Sequence, residues 1–309
     1  MNKKLRELSI LAILSATTLI PGAQAESPTP KPPVAHAEAP KSPATFCRYV
    51  PERSDDFAWE NDLVAFRVYG PALSKTKGSE DSGVDCWLKR VRYPIIDRWY
   101  SGKNYHVDQG EGHDPYHVGS SRGCGGTAIW SEGKMITPGL YKEWKIISQT
   151  TEISVFELIY HYHIGERTIT ETKRITIELG QRLFKSESLF TENNKPAQLE
   201  IAIGITTHDG KADTTLNPES GWMACWEKIG GQGLGTGVVV DSSFKVSMKE
   251  DKSAKKDKSH ALAIIATNDK GQTIHYAGYG WEKAGEIKTS KQWQEDLNGF
   301  ALKQNNDNK

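Results

Sequence analysis

The fold is decided by residues 152–179, EISVFELIYHYHIGERTITETKRITIEL. β-Branched and aromatic residues fill two runs, which Gly165 and Glu166 separate. Two such runs on either side of a short glycine-containing connection predict an antiparallel pair of strands. Because side chains alternate between the two faces of a strand, one face of the first strand is predicted to be core, with Phe156, Leu158, Tyr160 and Tyr162.

Similar runs continue on both sides of this pair, and the connections between them are short and carry Gly, Asn, Asp or Pro. They cover residues 63–69, 141–147, 182–191, 199–207, 235–240, 261–267 and 273–279. Many consecutive strands with tight turns predict an all-β fold, a large antiparallel β-sandwich. The clearest helix is short and near the carboxyl terminus, where residues 289–292 resemble a capping box before Trp293 and Leu297.

The amino terminus predicts export. Lys3, Lys4 and Arg6 precede the apolar run 8–20, and Ala25 ends a small-x-small cleavage pattern, so residues 1–25 are expected to be a signal peptide. The run is too short for a comfortable membrane span, so no permanent membrane anchor is expected. Residues 26–45 are rich in proline and predict an extended tether. A single β-sandwich catalytic domain is expected over residues 46–309, in the periplasm or medium.

Charge and cysteine content narrow the class of protein. The net charge is zero, which removes the electrostatic case for a nucleic-acid partner. The four cysteines, Cys47, Cys86, Cys124 and Cys225, lack the paired spacing of a zinc site, and one or two disulfides are expected in an oxidising compartment. Their pairing stays open. The alternative for Cys124, inside a glycine-rich turn, is a packed small residue without a partner.

The densest group of chemical side chains is the loop 105–117, YHVDQGEGHDPYH. Three histidines, three acids and two tyrosines lie among glycines and a proline, and loops on a rigid scaffold often carry binding and catalytic groups. The segment 119–126, GSSRGCGG, follows and adds Arg122 and unhindered backbone amides that suit an anion. The two segments predict a pocket for a polar, negatively charged ligand.

Three chemistries fit this loop. A divalent metal ion could be held by His106, Asp108, Glu111, His113 and Asp114. Asp108 and Glu111 could hydrolyse a glycosidic bond as an acid and base pair. A histidine, a tyrosine and an arginine could instead remove a proton next to a carboxylate and protonate the departing oxygen. The structural alternative is a loop whose polar side chains form hydrogen bonds with its own backbone amides and have no catalytic role.

A second polar group lies on the first strand of the predicted hairpin. Its other face carries Glu157, Ile159, His161 and His163. This face is either a half-exposed surface with incidental histidines or a sheet face that holds a sugar. On the next strand Glu171 and Lys173 share a face.

Several motifs occur in the order of one known family. They are residues 59–70, WENDLVAFRVYG, residues 105–112, YHVDQGEG, residues 121–126, SRGCGG, and residues 170–176, TETKRIT. With these motifs the chain resembles domain-of-unknown-function family 4861, found among secreted proteins of polysaccharide-utilising bacteria. The resemblance implies a β-sandwich like galactose mutarotase domains. It also implies action on uronic-acid-rich polysaccharides such as ulvan or pectin, as an oligosaccharide dehydratase.

These observations combine into one hypothesis: an enzyme that acts on uronic-acid-containing oligosaccharides by dehydration or β-elimination. His106 is the candidate base, with His113 as its alternative, and Tyr105 or Tyr116 is the proton donor. Arg122 is expected to hold the uronate carboxylate. The residues expected to line the substrate site are Trp59, Glu60, Asp62, Arg67, His161 and His163.

No cofactor is required by this chemistry, although a divalent metal ion at Asp108 and Glu111 remains an expectation. The first rival is a non-catalytic carbohydrate-binding sandwich, which would use the nine tryptophans and eleven tyrosines as stacking platforms. The second rival is a mutarotase-like epimerase or a glycosidase.

Overall fold

A computed structural model describes residues 42–77, 81–102 and 104–307. The predicted signal peptide, residues 1–25, and residues 26–41 of the predicted tether lie outside the described residues. The division of the chain into signal peptide, tether and catalytic domain therefore stays a prediction.

Two five-stranded antiparallel sheets form part of the fold. The first follows chain order, with β1 (Phe46–Val50), β2 (Asp56–Glu60), β3 (Ala65–Val68), β4 (Asp85–Lys89) and β5 (Gly112–His113). The second has β13 (Glu200–Thr206) at its centre, flanked on one side by β6 (Cys124–Ser131) and β7 (Lys134–Ile136), and on the other by β18 (His260–Ala266) and β17 (Val246–Asp251).

The predicted hairpin belongs to a nine-stranded sheet. In it β9 (Ile153–Ile164) pairs with β10 (Arg167–Glu178) and places Phe156 opposite Ile175. One edge continues to β8 (Glu143–Gln149), and the other runs through β11 (Leu183–Glu192), β19 (Gln272–Trp281), β16 (Gln232–Val240), β15 (Trp222–Ile229) and β14 (Asp213–Asn217), with β12 (Lys195–Pro196) beside β11. The antiparallel β-sandwich is thereby confirmed.

The main core lies on the inner face of the nine-stranded sheet. The predicted core residues of β9 are buried there, as their alternation indicated. Strands β6 and β13 cover one end of this face, and the first sheet covers the other, where Trp59 and Phe66 pack against Phe184. Aromatic rings that meet edge to face in this way fill a sandwich core and give it specific packing.

In the part of the chain that the structure describes, three α-helices lie outside the sheets: α1 (Ala72–Lys77), α2 (Ile96–Ser101) and α3 (Ser290–Asp307). The predicted carboxyl-terminal helix is α3, and its residues Trp293 and Leu297 cover the outer face of β16. A Cβ atom at Gly235 would lie 2.4 Å from Trp293, so this close approach requires glycine. Among the described residues, no helix is both long and apolar enough to cross a membrane.

The four cysteines are buried free thiols, so the expected disulfides are not formed. Cys47 donates to Gln149 Oε1 at 3.1 Å, and Cys124 donates to the Gly278 carbonyl at 3.3 Å. Burial raises the pKa of Cys86 and of Cys225, which keeps both sulfurs protonated. Cys124 is packed in the core as a small residue without a disulfide partner, which was the alternative expectation for it.

Candidate functional site

The loop 105–117 folds back so that its two ends meet. The backbone N–H of Asp114 donates to the carbonyl of Tyr105 at 2.9 Å. Between them β5 pairs with Leu88 and Lys89 of β4. Gly112 has a φ of +119°, and a Cβ there would lie 1.9 Å from the Leu88 carbonyl oxygen, so only glycine permits this pairing.

The two ring nitrogens of His106 differ in their surroundings, because Nδ1 contacts the protein and Nε2 has no partner among the described residues. Its Nδ1 lies 3.1 Å from the backbone carbonyl oxygen of Asp114 and 3.5 Å from the Asp114 carboxylate. A carbonyl oxygen only accepts, so Nδ1 carries the hydrogen and the lone pair of the neutral ring is on Nε2. The side chain is 59% exposed. This tautomer suits a general base that meets a substrate from solvent.

Tyr105 stands beside His106, with 4.4 Å between the ring centroids. Its hydroxyl oxygen accepts hydrogen bonds from Arg67 Nη1 at 3.2 Å and Arg53 Nε at 3.4 Å. An oxygen that accepts two donors directs its own hydrogen elsewhere. Both donors are cations, and their N–H groups would still point at the oxygen after it gave up its proton.

Arg67 is the buried centre of this cluster. Its guanidinium lies 2.8 Å from Asp85, 2.9 Å from Asp114 and 3.6 Å from Asp56, and its side chain is 4% exposed. Burial raises the pKa of Asp114 and of Asp85 against the opposing effect of Arg67, and it raises the pKa of Asp56 to about 6. Burial thus makes each of the three carboxyls easier to protonate than an exposed carboxyl would be. Arg67 therefore contacts Tyr105 from the interior of the protein and does not face solvent.

Arg53 is the residue that sequence reasoning missed. It lies in the 3₁₀ turn Pro51–Arg53 between β1 and β2 and is half-buried. Among the described residues it has no carboxylate within 4.0 Å, although Asp56 acts on its charge from further away. No local motif marks it, because 52 residues separate it from Tyr105 and only the fold brings them together.

A cleft of about 370 Å³ adjoins Tyr105. Its lining is largely polar and includes Arg98, Asn104, Gln109 and Glu111 beside Trp99. Glu111 is held there by Arg98 at 2.7 Å and by the Trp99 indole at 3.2 Å. Ligand pockets have volumes of about 300–1,000 Å³, so the cleft is large enough for a small ligand.

The two carboxylates predicted to bind a metal ion are occupied by protein cations. Asp108 lies 2.6 Å from Lys283 and 3.2 Å from Arg90. Partial burial opposes ionisation, but the bonds from Lys283 and from backbone amides lower the pKa of Asp108. Glu111 is bound as described above. Within the described residues no three His, Cys, Asp or Glu side chains are grouped to hold a metal ion. This donor set does not fit a metal, nor does it leave a free acid pair for glycoside hydrolysis.

Three other predicted catalytic residues are buried or packed against other side chains. Arg122 is 2% exposed and donates to Ser82 Oγ and the Thr127 carbonyl, both at 3.2 Å, so it braces the interior and faces no substrate. Tyr116 is 5% exposed, and no described residue forms a hydrogen bond with its hydroxyl. His113 packs edge-on against Trp281, and burial lowers its pKa.

The predicted substrate-binding residues are mostly structural. Trp59 is in the core, and Glu60 is buried with Lys89 at 2.7 Å while it accepts the first amides of α2. Asp62 binds Arg92 and the Gly180 amide. His161 and His163 lie on the outer face of β9, and in the described part of the chain neither has a hydrogen bond or ring contact with the 105–117 loop.

The fold and loop together define an antiparallel β-sandwich protein with an exposed histidine beside a partly buried tyrosine. The chain belongs to the family described as domain of unknown function DUF4861, whose model matches residues 21–308. It is 34% identical over 273 residues to "Uncharacterized protein P7" of Formosa agariphila. The alignment covers 84% of this chain and 68% of the relative. The predicted family resemblance is confirmed.

Solved structures match at low similarity. Heparinase III aligns over 80% of this chain and 37% of its own, with 12% identity and a TM-score of 0.42. The GH36 α-galactosidase AgaB from Geobacillus stearothermophilus aligns over 76% and 41%, with 11% identity and a TM-score of 0.40. This chain therefore spans about two fifths of those longer chains. Such values assign no activity to it.

Proposed function

We propose that this protein is a carbohydrate-active enzyme of the dehydratase or lyase type, acting on uronic-acid-containing oligosaccharides by β-elimination. One observation carries the proposal. No described residue contacts Nε2 of His106, so this nitrogen can accept a proton. Tyr105 lies beside it as the hydroxyl donor, and Arg53 and Arg67 both donate to the Tyr105 oxygen. A base, an acid and a cation close to one another are the groups that this reaction needs.

The proposed reaction starts at the carbon next to the uronate carboxylate. His106 Nε2 removes the proton from this carbon, and the electron pair of the C–H bond forms a carbon–carbon double bond. The C–O bond at the neighbouring carbon breaks, and Tyr105 protonates the departing oxygen. Loss of a hydroxyl releases water, whereas loss of a glycosidic oxygen cleaves the chain. No electrons are gained or lost overall, so no redox cofactor is needed.

Arg53 replaces Arg122 as the proposed holder of the carboxylate. It is accessible and next to Tyr105, whereas Arg122 is enclosed. A guanidinium suits a carboxylate because its planar fork donates two parallel hydrogen bonds. The same charge stabilises the enolate that develops when the proton leaves. We propose that the reaction takes place after export, in the periplasm or medium, without a permanent membrane anchor and with no role for nucleic acid.

The test uses purified protein with oligosaccharides from several uronic-acid polysaccharides and follows the ultraviolet absorbance of the new double bond. His106→Ala is expected to lower turnover at least about a hundredfold, the scale of a lost general base. The matched control is His163→Ala, which removes a histidine from the sheet and is expected to retain turnover.

Other outcomes would identify the rivals. Sugar binding without any double bond would indicate a carbohydrate-binding sandwich. Exchange of the substrate proton with deuterated solvent, without elimination, would indicate an epimerase. A new reducing end that forms without a double bond would indicate a glycosidase. Full activity in His106→Ala would move the base to another residue, with His113 first.

A further inference from the structure

His208 occupies an unusual position beside the 105–117 loop. It follows β13 with a backbone φ of +46°, in the left-handed region that few residues other than glycine adopt. Its side chain is 9% exposed. A histidine in this conformation persists only where its surroundings hold it, so its contacts are informative.

Both ring nitrogens of His208 face acceptors. Nδ1 lies 2.6 Å from Oε1 of Glu227 on β15, and Nε2 lies 2.7 Å from the backbone carbonyl oxygen of His117. A carbonyl and a carboxylate only accept hydrogen bonds, so the ring must carry both hydrogens to make both bonds. His208 is therefore an imidazolium in this arrangement.

A short, stiff segment connects two backbone carbonyls, that of His117, which His208 contacts, and that of Asp114, which orients His106. Asp114, Pro115, Tyr116 and His117 are consecutive. Pro115 has a restricted φ, and the buried ring of Tyr116 packs edge-on against His208 with 4.9 Å between centroids. Because Asp114 supplies the carbonyl for His106 Nδ1, a displacement at His117 is transmitted to the base.

We propose that His208 is a positioning residue, which holds the carboxyl end of the 105–117 loop and so keeps His106 in its catalytic orientation. The proposal rests on the proposed function. It adds a residue that touches no substrate and acts through His117 and Asp114.

The charges around the ring favour the cationic form. Glu227 faces it from β15, Tyr116 and His117 face it from the loop, and Lys211 and Asp209 stand on its own turn. Burial opposes the charge, but the Glu227 carboxylate outweighs it and raises the pKa of His208 above its ordinary value, with Lys211 opposing. The contact is therefore fully present below the ordinary pKa of histidine, and it is lost as pH rises through the raised pKa.

Glu227→Gln tests this dependence. Glutamine keeps the shape and an acceptor oxygen but removes the charge, so His208 in the variant loses its proton at a lower pH. We expect the ratio of variant to wild-type kcat/KM to be near one in acid and to fall roughly tenfold to a hundredfold as pH rises, the effect of a small misplacement of a catalytic group. Taking the ratio removes pH effects that the variant and the wild type share. A ratio that does not change with pH would overturn the proposal.

The matched control is His117→Ala. The His117 ring pairs with Asp257 at 3.1 Å, but its bond to His208 uses the backbone carbonyl, which alanine keeps. This variant is expected to follow the wild-type pH profile. If it behaved like Glu227→Gln, the ring of His117 and not the backbone would carry the effect, and the proposal would fail.

Two readouts do not depend on activity. In the Glu227→Gln variant, amide hydrogen exchange over residues 105–117 should be faster than in the wild type at neutral pH and equal to it in acid. Nitrogen-15 NMR of the wild type should show both ring nitrogens of His208 protonated at pH 7, with His208→Gln used to assign the signal. A neutral His208 ring at pH 7 would overturn the proposal even if no elimination activity were found. Loss of the elimination activity alone would affect only the proposed function.

Discussion

The loop site and the interior of the sandwich contain the same kinds of side chain in opposite settings. At the loop, Tyr105 meets Arg53 and Arg67, and His106 is 59% exposed. Inside, the Tyr162 hydroxyl donates to Glu171 at 2.7 Å, and Lys173 donates to Thr127 at 2.8 Å, with side chains that are at most 10% exposed. Arg122 belongs to this interior group.

The difference between the two regions is access. In the interior, Glu171 also accepts from Ser188 at 2.6 Å and from Thr127, so its oxygens are filled by the protein. Buried polar groups that are satisfied in this way hold a fold together but exchange no proton with a substrate. At the loop, no described residue contacts Nε2 of His106 or accepts the hydroxyl hydrogen of Tyr105, so both can bond to another molecule. Residue type alone does not separate the two cases.

The largest expected effect is on the stability of the interior. Glu171→Ala removes the acceptor of Tyr162 and leaves Lys173 buried without its counter-charge, so the free energy of unfolding should fall by about 3–5 kcal/mol. Chemical denaturation measures it. The control is Glu157→Ala on the outer face of the same sheet, where the pair with Arg174 is partly exposed and should contribute less than about 1 kcal/mol. Equal losses would remove the distinction between the faces.

Arg53→Met should damage the reaction and leave the fold intact. Losing a hydrogen bond to a charged group costs about 1.5–3 kcal/mol, which is roughly tenfold to a hundredfold in kcat/KM. The loss should appear with a uronic-acid substrate and disappear when its carboxylate is reduced to an alcohol. Arg174→Met serves as the control on the remote sheet face. If Arg53→Met lost activity on both substrates alike, Arg53 would not be the group that binds the carboxylate.

Arg122→Lys should do the reverse of Arg53→Met. Lysine cannot contact both Ser82 and the Thr127 carbonyl as the guanidinium does, and we expect a loss of about 2 kcal/mol in unfolding free energy. The preference for acid over reduced substrate should stay at the wild-type value. A melting scan and the two-substrate comparison measure these effects. A lost preference in a well-folded variant would return Arg122 to the site.

Acid should affect the two regions with opposite signs. Burial lowers the pKa of His260 to about 4, so the unfolded chain binds its proton more readily and this contribution to stability is lost as pH falls below about 6.5. Burial raises the pKa of Asp56 to about 6, so its folded form takes up a proton first and gains stability on acidification. Each effect is roughly 1–2 kcal/mol between pH 7 and pH 5.

Denaturation of two variants at these two pH values separates the contributions. His260→Gln should lose less stability on acidification than the wild type, because the group that resists protonation is gone. Asp56→Asn should lose more, because the group that gains a proton is gone. Two variants that respond like the wild type would contradict the assigned charge states.

The parts of the fold that sequence reasoning predicted well are those with a local signal. The strands β9 and β10, their tight turn and the buried face of β9 follow from period-two alternation within 28 residues. The helix α3 follows from its capping pattern and its apolar face. The short helices α1 and α2 carry no such periodicity over six residues each, and neither was predicted.

The candidate site was only partly predictable. The sequence singled out His106 and Tyr105 by their density of polar neighbours, and the structure joins them to Asp114 nearby in the chain. Arg53 was missed and Arg122 was chosen in its place, because a glycine-rich turn suggests an anion site whether the arginine points outwards or inwards. The disulfides were expected from the compartment, whereas the pairing of thiols depends on three-dimensional geometry.

By itself the sequence determined the sandwich class, the family and the position of the polar loop proposed to carry the chemistry, since each follows from local periodicity or from a contiguous motif. Only the tertiary structure decided which arginine reaches Tyr105, which carboxylates are filled by Lys283 and Arg98, and which histidine is held as a cation against Glu227. The physical reason is that access, burial and charge pairing arise between residues far apart in the chain, and no spacing along the sequence encodes them.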